Sequence, residues 1–592
     1  MKKNKIFALT ILALIFCFAT ILAGCQEEIK EAPREFDDQL PIVKGDPNVH
    51  VTFTVEDDGF NVYAPFEGKG GYRYGPSIMY YPDGSVDAWF ASKGISGEWD
   101  WFTYRHSDDG GKTWSGEKIV LQPTGNSYDH YSVCDPGVIY FNGYYYMGYT
   151  STLIETGVGN NVFVARSAEP DGPFEKWNGT GWGGDPKPLI YYDEGETGWG
   201  AGEPSFVVLE DTLYIYYTWT CPDGDYTMVA TADATSENWP ATLEYHGEAY
   251  QKLGNYRQDS CDVVYIEDIG KFVAFSTYER FTENSGICVM ESDDGIHFTQ
   301  SDIIRTGTMQ CLHNLGISKR SDGHIQLDDA LCFIGYAYGD GRSWAKWATR
   351  FQNITISYYE GPVESRDQDG IGNECDDYFW ELPEELDPIG ISVKSESRHL
   401  QLNEYSEETL KLYTVNSFMR LTKIKDTSDV KITGYDKSII KVNGLKIQGL
   451  APGTTYLLVQ YKDFYTTVTV TVYKDWKYQY LPSVITEFRP VETVYDVPLN
   501  AENNILHKKQ IRGYVVFNNY SWGEAYNAYT SSRPDKPPVV PAEKYLMTFH
   551  VENPEIISVS ANGIITPKKI GTTTVTVTMN GEKSFTVTVN VT

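Results

Sequence analysis

One pattern occurs twice between residues 131 and 218, and it limits the folds that this chain can take. The first copy, Ser132 to Thr150, reads SVCDPGVIYFNGYYYMGYT, and the second, Gly200 to Thr218, reads GAGEPSFVVLEDTLYIYYT. Each copy has an acid followed by proline, an apolar run of strand length, a turn and an aromatic-rich run. Two such runs around a short turn predict a β-hairpin. Repeated hairpins with an acid in the same position predict a radial array of sheets whose carboxylates collect near an axis.

Three more segments fit the same pattern less closely, which predicts five units between residues 51 and 360. We call the position of the acid the slot. The sequence places these residues in the five slots: Gly75, Asp135, Glu203, Asp262 and Asn314.

The composition agrees with an all-β protein that does not bind nucleic acid. The chain has 592 residues, enough for several domains, and its 44 Tyr and 53 Gly favour strands and turns. Its net charge is −32, whereas a nucleic-acid surface needs basic patches.

The N-terminus has the pattern of an export signal. Lys2, Lys3 and Lys5 precede an apolar run from Ile6 to Leu22. The run ends in the letters LAGC at Cys25, which resemble the lipobox of bacterial lipoproteins.

That resemblance implies a signal peptide over residues 1–25, lipidation of Cys25 and a tether over residues 26–50. We therefore expect an exported protein that is lipid-anchored at the outer face of a bacterial cell membrane. A membrane-spanning anchor is the open alternative, and it also exports the remainder of the chain.

Residues 51–360 resemble the five-bladed β-propeller clan of glycoside hydrolases, which includes families 43 and 32. The resemblance is carried by the repeated hairpins and by Asp135-Pro136 and Glu203-Pro204. The segment from Ser107 to Trp114, SDDGGKTW, is similar to the Asp-box that marks a hairpin turn in sialidase propellers. The Asp-box similarity makes a sialidase-like enzyme one alternative function. The sequence has no evident arginine triad, which such an enzyme needs.

Glycoside hydrolysis requires one carboxylic acid to protonate the leaving oxygen and a second carboxylate as base or nucleophile. The resemblance to family 43 implies Glu203 as the general acid, Asp135 as the base or nucleophile and Asp262 as their electrostatic partner. Capping of the turn before each strand is the alternative role for Asp135 and Glu203.

Polar and aromatic residues within a few positions of the slots are candidates for contacts with a sugar. Trp199 is suited to stacking on a sugar ring, and the others are suited to hydrogen bonds with hydroxyl groups. Each of them has a structural role as its alternative. The candidates for substrate binding are Arg73, Asp129, Trp199, Arg257 and His313.

The first slot departs from the pattern of both families, which place a carboxylate where this chain has Gly75. Two functions therefore stay open. One is a surface-anchored glycoside hydrolase that acts on a plant-type or other extracellular polysaccharide. The other is a non-catalytic glycan-binding or adhesion lipoprotein that uses the propeller to bind.

An acidic, glycine-containing linker is predicted over residues 361–387. It resembles the calcium-binding repeats of thrombospondin type 3, which implies a structural Ca²⁺ site, and a solvated linker is the alternative. The hydrolytic reaction itself requires no cofactor. The oxygen ligands in that resemblance are Asp367, Asp369, Asn373 and Asp376.

Strict alternation of apolar and polar residues continues to the C-terminus, as in Gly571 to Val577, GTTTVTV. This region resembles bacterial Ig-like domains of group 2, which implies one domain over residues 388–475 and a second over residues 476–592. The predicted fold class is all-β, with a five-bladed β-propeller followed by two Ig-like β-sandwiches. We expect a monomer whose partners are a carbohydrate and, through Cys25, a membrane.

Overall fold

A computed structural model describes residues 45–592 of the protein with several gaps. The gaps are residues 57, 70, 153–158, 194–197, 254–257, 330, 340–345, 363–366, 368–369, 376–377, 474–484, 501–508, 518–521, 526–546, 562, 580 and 582. The predicted signal peptide, Cys25 and most of the tether lie outside the described residues. Within the described part, regular structure is β-strand except for two short 3-10 helices, Trp239–Thr242 and Ser395–Ser397, which confirms the all-β prediction.

None of the helices in the described part of the chain has the length and apolar character needed to cross a membrane.

The first half of the chain forms consecutive strands, and most of their pairings are antiparallel. They are β1 (Val49–Val55), β2 (Phe60–Tyr63), β3 (Arg73–Tyr80), β4 (Val86–Lys93), β5 (Asp100–Ser107), β6 (Lys118–Leu121), β7 (Cys134–Phe141), β8 (Tyr144–Ser151), β9 (Asn161–Ser167), β10 (Glu175–Lys176), β11 (Gly200–Leu209), β12 (Thr212–Cys221), β13 (Gly224–Asp233), β14 (Glu244–Gln251), β15 (Gln258–Ile266), β16 (Lys271–Tyr278), β17 (Gly286–Ser292), β18 (Thr299–Ile304), β19 (Leu312–Lys319), β20 (His324–Ile325), β21 (Phe333–Tyr338) and β22 (Ala348–Glu360).

These strands pair in five groups: β3-β4-β5-β6, β7-β8-β9-β10, β11-β12-β13-β14, β15-β16-β17-β18 and β19-β21-β22-β1. The last group takes its outer strand from the start of the chain, with Val51 opposite Tyr358. The first strand of each group packs against the first strand of the next, and β19 also pairs in parallel with β3. The five first strands therefore form a closed ring, and this ring positions the candidate site.

Every first strand carries the same irregularity near its start. The register shifts within β3, β7, β11, β15 and β19, and one residue at each shift has a left-handed backbone. A bulge of this kind bends the strand and redirects a side chain. The residues with positive φ are Gly75 (54°), Asp135 (56°), Glu203 (52°), Ser260 (54°) and Asn314 (32°).

The sequence prediction for the fourth slot is wrong. The sequence pattern places Asp262 in the fourth slot, but Ser260 has the slot conformation, and Asp262 lies two residues farther along β15. The error arises because the fourth unit has Ser260-Cys261 where two of the others have an acid followed by proline.

Side chains two residues after the slot join neighbouring groups of the ring. Ser77 accepts a hydrogen bond from the backbone N–H of Val138 at 3.0 Å, and Ser205 accepts one from Val263 at 2.9 Å. Asp262 accepts a hydrogen bond from the backbone N–H of Ile317 at 2.9 Å. Val138, Val263 and Ile317 each lie three residues after the slot of their own group. These bonds satisfy buried backbone donors that the bulges leave without a partner in the sheet.

The same position is glycine in the other two groups, where the neighbouring backbone approaches closely. A Cβ atom on Gly316 would overlap the carbonyl oxygen of Pro76, and a Cβ atom on Gly137 would overlap that of Pro204. The two glycines thus allow the ring to close at this radius.

The second half of the chain forms two further sets of strands. The first set is β23 (Pro388–Ser392), β24 (His399–Asn403), β25 (Glu407–Thr409), β26 (Tyr413–Asn416), β27 (Leu421–Lys423), β28 (Val430–Thr433), β29 (Ile440–Asn443), β30 (Lys446–Gly449), β31 (Gly453–Tyr461) and β32 (Phe464–Tyr473). The second set is β33 (Ile485–Pro490), β34 (Val494–Val497), β35 (Gly513–Phe517), β36 (Trp522–Ala525), β37 (Met547–Val551), β38 (Ile557–Val559), β39 (Ile565–Pro567), β40 (Gly571–Met579) and β41 (Lys583–Val591).

Each set encloses its own apolar core. One core contains Leu457, Val459 and Val470, and the other contains Val575, Val577 and Val589. Alternate residues of β31 and β40 are buried, as the apolar-polar alternation of the sequence predicts.

The first of these sets also contacts the β3-β4-β5-β6 group through a buried ion pair, made with the loop between β4 and β5. The Arg398 guanidinium donates to both carboxylate oxygens of Glu98, at 2.6 and 3.1 Å, and to the side-chain oxygen of Gln122 at 2.9 Å. Both charged side chains are almost fully buried. A bidentate pair of this kind fixes the relative orientation of the elements that carry it.

The contact at Gly316 predicts a stability effect. We expect Gly316→Ala to lower the free energy of unfolding by at least about 1–3 kcal/mol, because the new methyl group must displace the backbone at Pro76. Gly116→Ala is the control, since Gly116 is exposed and a Cβ there meets nothing within 4 Å. Urea unfolding of both variants measures the difference, and equal midpoints would contradict the tight ring.

Candidate active site

A cavity of about 500 Å³ opens at the ring, beside the slots of the second, third and fifth groups. Five carboxyl groups line this cavity, and one of them, Glu98, is paired with Arg398. The other four are Asp100, Asp135, Glu203 and Asp259. The wall is completed by Tyr72, Tyr74, Lys93, Glu98, Trp99, Ser132, Cys134, Asn160, Trp199, Thr218, Thr220, Arg280, His313 and Asn314.

The structure brings Asp135 and Glu203 together. The side-chain nitrogen of Asn314 donates to Asp135 Oδ1 at 3.0 Å and lies 3.4 Å from Glu203 Oε1. The Thr218 hydroxyl donates to the other oxygen of Glu203 at 2.6 Å. Both carboxyl groups are buried, because the bulges direct them inward from neighbouring first strands.

Burial raises the pKa of Glu203 above its ordinary value, and the negative charge of Asp259 raises it further. The ammonium group of Lys252 lies 3.7 Å from Glu203 and acts in the opposite direction. Burial likewise raises the pKa of Asp135, and the charge of Asp100 adds to that effect. The net result is a pair of carboxyl groups that hold protons at a higher pH than exposed ones do.

Asp259 differs from the other acids because its charge is compensated. Burial alone would raise the pKa of Asp259, but its ion pair with Arg280 holds the pKa below the ordinary value. Asp259 therefore stays ionised and supplies a fixed negative charge beside Glu203.

Asp262, which the sequence assigned to the catalytic group, does not line this cavity. Its Oδ1 accepts hydrogen bonds from Lys319 at 2.5 Å and from Ser205 at 2.7 Å, and its Oδ2 accepts from backbone. All of its contacts therefore serve the ring, and Asp259, three residues earlier, faces the cavity in its place.

Asp100 also lines the cavity, and sequence reasoning missed it. It is the first residue of β5, the third strand of its group, and lies opposite Lys93 of β4. The hydroxyl groups of Tyr72 and Tyr74 donate to its two oxygens at 2.6 and 3.4 Å. Burial raises the pKa of Asp100 to about 7.

Two of the predicted sugar contacts, Trp199 and His313, line the cavity. Burial lowers the pKa of His313 to about 3, so its imidazole is neutral at physiological pH. Arg257 lies outside the described residues.

The other two predicted contacts do not line the cavity and have structural roles. Arg73 is buried in an ion pair with Glu117, and Asp129 is buried in an ion pair with Lys176. The cavity instead contains Trp99, which is 36% exposed and stacks on Tyr131 at a centroid distance of 6.3 Å.

Of the predicted calcium ligands, Asp367 and Asn373 lie within the described residues. Asp367 is paired with Arg305, and Asn373 bonds through its backbone to Thr308 and Gln310. Asp369 and Asp376 lie outside the described residues.

Within the described residues, one other cluster has the spacing of metal ligands: Glu267, Asp322 and His324. Both ring nitrogens of His324 already have partners, Glu267 Oε1 at 2.8 Å and the carbonyl oxygen of Val208 at 2.6 Å. The cluster is therefore a satisfied polar network.

No protein-family model matches the chain, and no curated protein matches its sequence. Solved structures similar to it include an α-L-arabinofuranosidase from Podospora anserina in complex with cellotriose, at 12% identity, covering 51% of this chain and 96% of that chain with a TM-score of 0.38. A family 117 glycoside hydrolase from Zobellia galactanivorans matches at 14% identity over 52% and 91% of the chains, with a TM-score of 0.33. A thermostable family-43 glycoside hydrolase matches at 16% identity over 50% and 93%, with a TM-score of 0.34. These structural neighbours are glycoside hydrolases, and at such scores they carry no argument about the activity of this chain.

The contacts of Asp262 predict a loss of stability on substitution. We expect Asp262→Asn to lower the free energy of unfolding by about 3–5 kcal/mol, because the buried Lys319 loses its counter-charge. Glu203→Gln is the comparison. The pKa of Glu203 is raised in the folded protein, so ionisation of this carboxyl group lowers the free energy of unfolding as the pH rises. Glutamine cannot ionise, and Glu203→Gln should therefore not destabilise the protein at pH 8. Urea unfolding at pH 8 tests both, and a larger loss for Glu203→Gln than for Asp262→Asn would contradict the structural role of Asp262.

The charges beside Glu203 predict opposite shifts of its pKa. We expect Asp259→Asn to lower the pKa of Glu203, because a negative neighbour is removed, and Lys252→Met to raise it, because a positive neighbour is removed. Carbon-13 NMR titration of glutamate-labelled protein measures both, with Glu203→Gln to assign the signal. Shifts of the same sign would contradict the described geometry.

Proposed function

We propose that this protein is a glycoside hydrolase in which Glu203 is the general acid. One observation carries the proposal: the buried carboxyl group of Glu203 faces a cavity of about 500 Å³ and shares the side-chain nitrogen of Asn314 with a second carboxyl group. A pair of converging carboxyl groups is the arrangement that glycoside hydrolysis requires.

The environment of Glu203 suits proton donation. A general acid must be protonated near the working pH, and burial together with the fixed charge of Asp259 favours the protonated form. The uncharged side chains of Thr218 and Asn314 donate hydrogen bonds to the carboxyl group and orient it. Asp259 thus takes the electrostatic role that the sequence gave to Asp262.

We further propose a five-bladed β-propeller over residues 51–360, the linker over residues 361–387 and Ig-like domains over residues 388–475 and 476–592. The closed ring of five first strands and the two separate apolar cores support this division. Lipidation at Cys25 would hold the enzyme at the cell surface, where an extracellular polysaccharide is its substrate.

A glycan-binding protein without catalysis is the second candidate. It is favoured by the slots themselves, since Gly75, Ser260 and Asn314 leave only Asp135 and Glu203 as slot acids. The two candidates differ in turnover, which the following experiment measures.

We expect Glu203→Gln to bind ligand but to lose turnover of a natural oligosaccharide by about 10²–10⁴-fold, because the amide cannot deliver a proton. An aryl glycoside with an activated leaving group needs little protonation and should lose much less. The measurement is the ratio of kcat/KM, variant over native, for both substrates.

Trp199→Ala is the control, because Trp199 lines the cavity without a titratable group and should weaken both substrates alike. Equal ratios for Glu203→Gln would exclude it as the acid. A native protein that binds arabino-, xylo-, galacto- or fructo-oligosaccharides without hydrolysing any of them would be a glycan-binding protein.

A further inference from the structure

We propose that Trp99 and Tyr131 form a stacking platform for a sugar ring in the candidate active site, and that the strand set β23–β32 holds this platform in place. The inference deepens the proposed function, on which it rests for the class of ligand. It gives the first strand set of the second half of the chain a part in substrate binding.

Trp99 has the exposure and the support of a residue that binds a flat apolar surface. Its side chain lines the cavity that contains Glu203 and is 36% exposed, which is high for so large an apolar ring. The ring stacks on Tyr131, with centroids 6.3 Å apart and planes inclined by 28°. An aromatic ring that a second ring supports keeps a fixed orientation, and such a surface beside polar groups suits the C–H face of a sugar.

Two loops present this pair of rings, and a backbone hydrogen bond joins the loops. Trp99 is the last residue of the loop between β4 and β5, and Tyr131 lies in the loop between β6 and β7. The backbone N–H of Trp99 donates to the carbonyl oxygen of Tyr131 at 2.9 Å. The contacts that fix the two loops therefore also fix the platform.

The loop between β4 and β5 packs directly on the strand set β23–β32. Ile95 belongs to a buried apolar cluster that also contains Ile389 of β23. Two residues after Ile95, a Cβ atom on Gly97 would lie only 2.7 Å from the hydroxyl oxygen of Ser395, which lies between β23 and β24. The strand set thus forms the surface on which this loop rests.

The ion pair between Arg398 and Glu98 fixes the residue that precedes Trp99. The Arg398 guanidinium donates to the two carboxylate oxygens of Glu98 at 2.6 and 3.1 Å. The indole N–H of Trp101 donates to the same carboxylate at 2.7 Å. A bidentate pair of buried charges allows one relative orientation of its partners, so it constrains the backbone from which the Trp99 side chain projects.

The loop that carries Tyr131 is held by the same strand set. The side-chain oxygen of Gln122, at the start of this loop, accepts a hydrogen bond from Arg398 at 2.9 Å. The carbonyl oxygen of Gly125 accepts one from the hydroxyl group of Thr469 in β32 at 2.8 Å. Arg398 therefore contacts both loops, and it is the positioning residue of the platform.

The test measures affinity, so it applies to a hydrolase and to a glycan-binding protein alike. Calorimetry titrates arabino-, xylo-, galacto- and fructo-oligosaccharides into Glu203→Gln protein, which should bind without turnover. We expect Trp99→Ala on this background to weaken binding by about tenfold or more, because truncation of a central aromatic contact is costly. Trp99→Phe keeps an aromatic face and should retain most of the affinity.

A double-mutant cycle separates positioning from general stability. Arg398→Lys keeps the charge but loses the bidentate geometry, and it should weaken binding by about 2–30-fold. The same substitution should have little further effect in the Trp99→Ala variant, because the platform is then already lost. Arg320→Lys is the matched control and should leave the affinity unchanged, since Arg320 is also buried in an ion pair, with Asp329, but follows the end of β19 remote from its slot.

Thr469→Val removes one hydrogen bond to the loop of Tyr131, and it takes the place of Arg398→Lys in the cycle if that variant fails to fold. Additive losses in the cycle, unchanged affinity in Trp99→Ala, or equal weakening by Arg320→Lys would overturn the inference. A native protein that binds these sugars without hydrolysing them would overturn the proposed hydrolase, and a non-additive cycle would still support the platform. A native protein that binds none of these sugars would overturn both.

Discussion

The left-handed residue at the start of each first strand is the constraint on which the rest of the site depends. Asp135 and Glu203 reach the same amide of Asn314 because all three occupy this conformation on strands of one ring. A non-glycine residue in such a conformation costs about 1–3 kcal/mol and persists only where the surrounding structure enforces it. The enforcement comes from close backbone packing, which at Gly137 and Gly316 leaves no room for a side chain.

The same ring combines two kinds of buried acid with opposite energetic effects. Asp135 and Glu203 have raised pKa values, so they weaken the fold when they ionise. Asp262 is buried with its charge matched by Lys319 and by backbone, so it holds adjacent groups together. The stabilising contacts of the inner residues thus offset the strain and the desolvation of the acids that face the cavity.

Sequence reasoning finds the acids of the site that belong to the repeated acid-proline pattern. It misses the acids of the site that lie outside that pattern. Asp135 and Glu203 stand out because proline follows each of them. The fourth unit lacks that pair, so the repeat pattern selects Asp262 and misses Asp259. Nothing marks Asp100, because it begins the third strand of its group, and only the pairing of β5 with β4 brings it to the cavity.

Nearness in sequence is also a poor guide to side-chain contacts. Arg73 lies two residues before Gly75, yet its guanidinium is turned toward Glu117 and Tyr63. The direction in which a side chain points at a bulge depends on the local backbone angles. The composition of the chain and the spacing of its repeats do not specify these angles. The all-β class, in contrast, follows from alternation over many residues and is predicted without these details.

The ion pair between Arg398 and Glu98 has a consequence for how such a protein can be altered by recombination. Glu98 belongs to the cavity wall, while Arg398 precedes β24 in the first strand set of the second half. Exchange of that strand set for one without an equivalent arginine would leave the Glu98 carboxylate without its counter-charge in the wall that also carries the candidate catalytic acids. We therefore expect this strand set to tolerate exchange only when the replacement carries a cation that reaches Glu98.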